Sequence, residues 1–241
     1  MSQDIQIVVL NTIKYKDSGV VVQAYSDRGG RDSFFLRSGK KSGKGGLLSH
    51  LHPLNIIDIT LSSFSLGEIA TIKEFSAPYK LKSIRSNLIK SSIAIYMSEL
   101  IYKSIREIEP NPQMYSFLID SILRLEAAKE GIENFHLCFT TQLCRQIGYL
   151  PAIDNIPQGY LFDIPSASYV APANRGPDCF SDKSSEILGF LASSDYKGAS
   201  EIALTGAVRS EFLGEMLRYL VFHAGDSIKI ESLDVLHEVF D

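Results

Sequence analysis

The hydrophobic pattern of this chain changes character once, near Pro78. Before it, apolar residues come in short β-branched or aromatic runs separated by turn residues, which is how strands read. Ile5-Gln6-Ile7-Val8-Val9-Leu10 predicts a strand leading to Lys14-Tyr15-Lys16, and Asp17-Ser18-Gly19 a turn. Val20-Val21-Val22-Gln23-Ala24-Tyr25 predicts a second strand. Asp27-Arg28-Gly29-Gly30 predicts a hairpin, because glycine accepts positive φ. Ser33-Phe34-Phe35-Leu36-Arg37 is a third strand, Leu54 to Leu61 a fourth and Ile69 to Phe75 a fifth. Five short strands in about eighty residues predict a small barrel or sandwich. A five-stranded OB-fold fits the count, and an SH3-like barrel fits the pattern almost as well.

From Ser83 the period becomes helical. Ser83 reads as an N-cap, with Ile84, Leu88, Ser92, Ile95 and Tyr96 on one face and Leu100 and Lys103 following. Pro110 and Pro112 mark the stop. A second helix is predicted from Pro112 to Lys129, with Phe117, Leu118, Ile122 and Leu125 as its stripe and Gly131 as its end. A third runs from Asn134 to Ile147, with Phe135, Cys138, Phe139 and Leu143 inward, Gly148 as cap and Pro151 as block. Residues 152–180 break the period with Pro157, Pro165, Pro172 and Pro177 and carry short β-like pieces such as Tyr160-Leu161-Phe162. Helices resume near Ser181, run strongly from Gly206 to Ala224, and end with a short one from Glu231 to Phe240. The predicted class is α+β: a barrel over residues 1–80, then a mostly helical domain over 81–241 with an irregular insert at about 152–180.

Charge sharpens this division. Residues 1–82 hold eleven Lys/Arg and seven Asp/Glu, whereas residues 83–241 hold thirteen and twenty-one. A basic front and an acidic back suggest different partners for the two parts. The three cysteines, Cys138, Cys144 and Cys179, are too few and too sparse for a disulfide framework and fit a reducing cytoplasm. Cys138 and Cys144 read as buried thiols in a helix. No apolar run is long enough for a membrane span, and Met1 to Gln6 reads as the start of a strand, not a secretory signal.

The strongest candidate chemistry lies between Arg28 and Lys44. Arg28, Arg31, Arg37, Lys40, Lys41 and Lys44 face a single acid, Asp32, among flexible glycines. Cations on a mobile loop neutralise phosphates without reading sequence. Those of Tyr15, Tyr25, Phe34 and Phe35 that face outward would stack on unpaired bases. Gly39-Lys40-Lys41-Ser42-Gly43-Lys44 imitates a phosphate-binding loop but has three spacers instead of four, and Gly45 stands where a Ser or Thr should hold magnesium. His50-x-His52 has no ligand partner nearby in sequence, Arg28-Gly29-Gly30 occurs once, and Glu107-Ile108-Glu109 reads as solvated charge at a helix end. Hydrolase motifs are absent, so no catalytic residue, cofactor or metal is nominated and the chain is expected not to be an enzyme. A nucleic-acid-binding module is the reading, with RNA binding or a structural adaptor role as the alternative.

Several motifs, weak singly, stand in a telling order. They are Ile7-Val8-Val9-Leu10 with Lys14-Tyr15-Lys16-Asp17; Arg37 to Gly46 followed by Leu51 and Pro53-Leu54; and Tyr96, Glu99 and Leu100. They continue with Phe135 to Leu143 before Gly148-Tyr149-Leu150-Pro151, and with Leu217-Arg218-Tyr219 through Ser232-Leu233-Asp234-Val235-Leu236. Together they resemble the RecO family of bacterial recombination mediators over nearly the whole chain. The resemblance implies an N-terminal OB-fold and a C-terminal helical domain, and binding and annealing of single-stranded DNA. It also implies work with RecR to load RecA onto strands coated by the single-strand-binding protein SSB. In some relatives the acidic, apolar-ended SSB tail docks on the helical domain, where Arg145 is the candidate to pair with it. The DNA-binding set is then the six cations above assisted by Lys14 and Lys16. Such a protein works in the cytoplasm, at the nucleoid during repair. Many relatives hold zinc with four cysteines just after the Gly-Tyr-x-Pro turn; Ala152 to Gly159 contains none. No zinc is expected, and packing of Tyr160, Phe162, Tyr169 and Phe180 is expected to serve as the local staple.

Overall fold

Alternate residues of the first strand, Ile5, Ile7 and Val9, turn into a closed barrel, where Val22, Ala24, Phe34, Ile57 and Ile59 meet them. The structure, a computed structural model, describes residues 3–15, 19–37, 46–63, 65–66, 68–151, 153, 156–225 and 228–240. Strands β1 (Gln3–Tyr15), β2 (Gly19–Ser26), β3 (Gly30–Arg37), β4 (Ile56–Leu61) and β5 (Ala70–Ser76) join in the order β1-β2-β3-β5-β4, and β4 closes on β1. Among the described residues of the barrel, only the β3–β5 pairing is parallel. This is OB-fold connectivity, which decides between the two barrels the pattern allowed. The predicted turn at Asp17-Ser18 and the loop from Ser38 to Gly45 lie outside the described residues.

β1 is longer than the apolar run that announced it. Its register with β2 shifts between Val9 and Asn11, a bulge that lets one strand bend and continue. The bulge is pinned from the start of β4: Leu54 donates to the Val9 carbonyl at 2.8 Å, and Val9 donates to the Asn55 carbonyl at 2.9 Å. Leu54 sits at φ 62°, so the chain turns sharply there and β4 begins only at Ile56.

The expected first helix is two. α1 (Lys82–Ser86) stops at Asn87, whose side chain accepts from the Lys90 amide and caps α2 (Leu88–Ser104). Ser83 is not an N-cap; its amide and that of Ile84 donate to the Glu126 carboxylate of α3 (Pro112–Ala127), each at 2.8 Å. The break resets the helical phase. Leu88 and Ile95 therefore face out, and the buried stripe is Ile93, Tyr96, Met97, Leu100 and Ile101. Lys90 is buried, its ammonium donating to Ser83 Oγ and to the Glu126 carbonyl. Burial lowers its pKa, and the Glu126 charge opposes that shift.

The chain divides into two compact units, residues 1–127 and 128–241. The barrel thus carries α1 to α3 with it. The second unit holds α4 (Phe135–Gln146), the hairpin β6 (Leu161–Asp163) and β7 (Ser168–Val170), α5 (Asp182–Ser193), α6 (Tyr196–Ser200), α7 (Gly206–Ala224) and α8 (Leu233–Phe240). Cys138 and Cys144 are fully buried on α4, and burial pushes the Cys144 thiol up. In the irregular insert, Phe162 makes edge contacts with Tyr169, Phe180 and Tyr219 at centroid distances of 5.2–5.4 Å. Tyr219 of α7 takes the place expected of Tyr160, which lines a cavity instead. Among the described residues no helix is long and apolar enough to cross a membrane.

His136 on α4 is fully buried and stacks on Phe240 of α8 at 5.1 Å, with the Arg209 guanidinium also over Phe240. Burial, then repulsion from Arg209 and His237, holds its pKa down to about 3. The folded ring therefore stays neutral while the unfolded one takes up a proton below about pH 6.5. Stability falls as pH drops from about 6.5 toward 3, at a limiting slope of about 1.4 kcal/mol per pH unit. Denaturant midpoints measured across that range should show this slope, and His136→Phe should flatten it.

Candidate nucleic-acid interface

Registers along β1, β2 and β3 fix which side chains share the outer wall of the barrel. Val22 and Phe34 are paired and point inward. The rows on either side, Asn11–Gln23–Ser33 and Ile13–Val21–Phe35, therefore point outward, as does the row Tyr15–Gly19–Arg37 at the end of the sheet. Tyr15 is 49% exposed and Ile13 47%, while Phe35 and Val21 are half-buried. Tyr15 meets Phe35 edge-on, with ring centroids 5.9 Å apart. Glycine is required beside them: a Cβ on Gly19 would lie 2.7 Å from the Phe35 ring and closer still to the Leu36 carbonyl oxygen. The result is an apolar, aromatic platform open to water on one end of the wall.

The other end of the same wall is covered. Tyr25 is buried and stacks on Tyr115 of α3 at 6.5 Å; burial and then the Glu107 charge push its phenol up to about 12. Phe34 is fully buried in the barrel core. Of the four candidate stacking residues, the structure thus leaves Tyr15 and Phe35.

The predicted cations fall into separate groups. Arg37 extends the Tyr15 row and is exposed; Lys14, also exposed, belongs to the adjoining row Lys14–Val20–Leu36. Lys16, Lys40, Lys41 and Lys44 lie outside the described residues and adjoin this end in sequence. Arg28 and Arg31 lie at the opposite end of the β2–β3 hairpin, a strand length of about 23 Å away. Arg28 is exposed, 3.8 Å from Asp27. Arg31 is engaged in the fold: its amide donates to the Glu107 carbonyl, its guanidinium donates to the Tyr102 carbonyl at 2.9 Å and lies over the Tyr102 ring. Gly30, at φ 60°, lets the Glu107 and Glu109 carbonyls come within 3 Å of where a Cβ would stand, so the pair read as solvated charge anchors the hairpin through its backbone. In the second unit Arg145 donates to the Ala192 carbonyl near the end of α5 at 2.6 Å. The outward role of Ile13, Val21 and Gln23 was missed by sequence reasoning. The alternation of Asn11 to Tyr15 with Gly19 to Gln23 carried that signal, but the bulge conceals it.

Family models cover both parts of the chain: "Recombination protein O N terminal" matches residues 1–77 and "Recombination protein O C terminal" residues 85–230. This chain belongs to the RecO family. It is 29% identical over 234 residues to the DNA repair protein RecO of Azobacteroides pseudotrichonymphae and 30% identical over 239 residues to that of Bacteroides fragilis, covering 97% of both chains in each case. The RecO of Phocaeicola vulgatus is 28% identical over 236 residues with the same coverage.

The residues at the place of the RecO zinc knuckle do not fit a zinc ion. Cys179 Sγ accepts from the Gly176 amide and faces Asp163, whose carboxylate is held by Ser166. One thiol and one engaged carboxylate do not make a tetrahedral set, and no group of three or more His, Cys, Asp or Glu among the described residues is placed to hold a metal.

Arg31→Ala should lower stability by about 1–3 kcal/mol through loss of its hydrogen bond and ring contact. Arg28→Ala should change it by less than about 0.5 kcal/mol. Denaturant midpoints of the two variants check the contrast.

Proposed function

We propose that this RecO protein is a recombination mediator in DNA repair that captures single-stranded DNA on the platform of Tyr15 and Phe35. The observation that carries the reading is the exposed Tyr15 ring, edge-on to the half-buried Phe35 and in one row with the exposed Arg37. Aromatic faces stack on bases of any sequence, and cations beside them neutralise the backbone. Lys16 follows Tyr15, and Lys40, Lys41 and Lys44 follow Arg37, in the sequence, and each adds a cation. The names of the relatives, DNA repair protein RecO, and the family description support the process. Arg31 contributes less than the sequence implied, since its guanidinium is engaged by the Tyr102 carbonyl and ring, and Arg28 lies at the far end of the hairpin beside Asp27.

Annealing complementary strands makes and breaks no covalent bond. It needs only a surface that lowers the repulsion between two polyanions, so the protein acts without a catalytic residue or cofactor. With RecR it helps load RecA onto SSB-coated strands in the cytoplasm, at the nucleoid during repair. The acidic helical part recruits the protein partners. Its apolar groove of about 520 Å³, formed by Leu217, Val221, Phe222, Ile228 and Leu233 with Arg218 and Lys229 at its edge, suits the acidic, apolar-ended SSB tail better than Arg145 does.

Titration of a labelled single-stranded oligonucleotide at several salt concentrations tests the platform. Four phosphate contacts predict a slope of log K on log salt of about −3, and replacing Lys40, Lys41 and Lys44 by Ala should flatten it by about 2. Tyr15→Ala should weaken binding about tenfold. Wild-type affinity in the Tyr15 variant would remove the platform from the binding surface. For the tail, Phe222→Asp in the full chain should abolish binding of an SSB tail peptide.

A further inference from the structure

The hairpin of β6 and β7 has one strand edge taken and one open. Phe180 donates its amide to the Phe162 carbonyl at 2.8 Å, and Phe162 donates its own amide to Ser185 Oγ at 3.0 Å. Both main-chain groups of Phe162 therefore point away from β7. Opposite residues of an antiparallel pair either exchange both hydrogen bonds or turn both groups outward. Tyr169 stands opposite Phe162, so its amide and carbonyl point away from β6, to the outer edge of β7. Neither meets a partner among the described residues. Ala171, two residues on and still extended, turns its amide the same way. That amide too has no partner among the described residues, while the Ala171 carbonyl accepts from Asn174.

This edge is fixed before anything binds to it. The Tyr169 hydroxyl donates to the Ser185 carbonyl at 2.7 Å, and its ring meets Phe162 edge-on at 5.4 Å. A preorganised strand loses little freedom on pairing. A cavity of about 630 Å³ runs beside it. Ser168 and Tyr169 both line the cavity, although successive side chains of a strand point to opposite faces. A space that touches both lies along the strand's side, and β6 occupies the other side. Tyr149, Pro151, Ile156 and Tyr160 complete its wall, and no charged side chain among the described residues lines it.

A row of main-chain donors and an acceptor on a strand edge is complementary to another extended main chain. Residues 128–241 hold eight Lys/Arg and sixteen Asp/Glu, an excess that repels a nucleic acid or an acidic segment. We infer that β7 is a strand-addition site for an extended segment of a partner protein. The segment is neutral or basic, pairs its main chain with Tyr169 and Ala171, and lays an apolar side chain against Tyr149 and Tyr160. The site shares no lining residue with the groove beside Phe222, and it stands without the DNA-binding reading of the barrel.

The probe is a short peptide of alternating valine and threonine with lysine at both ends, and its twin is N-methylated at every valine and threonine amide. At saturation the peptide should slow hydrogen exchange at the Tyr169 and Ala171 amides of the full-length protein about tenfold or more. The twin should bind about tenfold more weakly. Tyr160→Arg, which places a charge in the cavity from a half-buried position, should weaken the peptide to a similar degree, and Phe222→Asp should leave it unchanged. No binding, binding that leaves Tyr169 unprotected, equal binding of the twin, or loss in the Phe222 variant each overturns the inference. Protection of Tyr169 without peptide, rising with protein concentration, assigns the edge to a second copy of this chain and also overturns it.

Discussion

The hydrogen-bonded clasp between Val9 and the Leu54–Asn55 backbone governs the architecture of the first unit. Upstream of it, β1 is a strand with two buried faces. Ile5, Ile7 and Val9 fill the barrel, while Val8 and Leu10 are buried on the other side, where α2 packs on this strand. Downstream of it, the same strand shows Ile13 and Tyr15 to water. One bulge therefore separates a wall that binds its own helices from a wall left open.

Much of the fold was legible because strands and helices advertise different periods. The five strands, the helix Gly206–Ala224 and the irregular insert all lie where the pattern set them. The helix break at Asn87 was hidden because the residue that closes the first turn of α1, Glu126, comes from forty residues away. Sequence spacing saw Ser83 as a cap, but the cap is a tertiary contact. The same limit shaped the site. Net charge between Arg28 and Lys44 suggested one patch, yet a hairpin returns the chain on itself and sends Arg28 and Arg31 to the end opposite Arg37. Residues close in sequence are distant in space when a strand lies between them. Tyr15 and Phe35, twenty positions apart, meet because register brings them together.

The second unit holds its small hairpin with apolar contacts. The β6–β7 hairpin has three residues in each strand, too little to stand alone in water. Three aromatic edges on Phe162, the Tyr169 hydroxyl on the Ser185 carbonyl and the Phe162 amide on Ser185 Oγ fasten it to α5 and α7. These contacts form only in the folded state, so the order of this hairpin depends on helices far along the chain.

The double-faced character of β1 bears on how the protein can be dissected. Severed where the hydrophobic period changes, near residue 80, the barrel would lose the lid over Val8, Leu10 and Tyr25 and present a greasy flank to other molecules. A fragment reaching residue 127 retains that lid, with Glu126 clamping the first helix to the third. The compact unit that contains the barrel is therefore half again as long as the barrel itself.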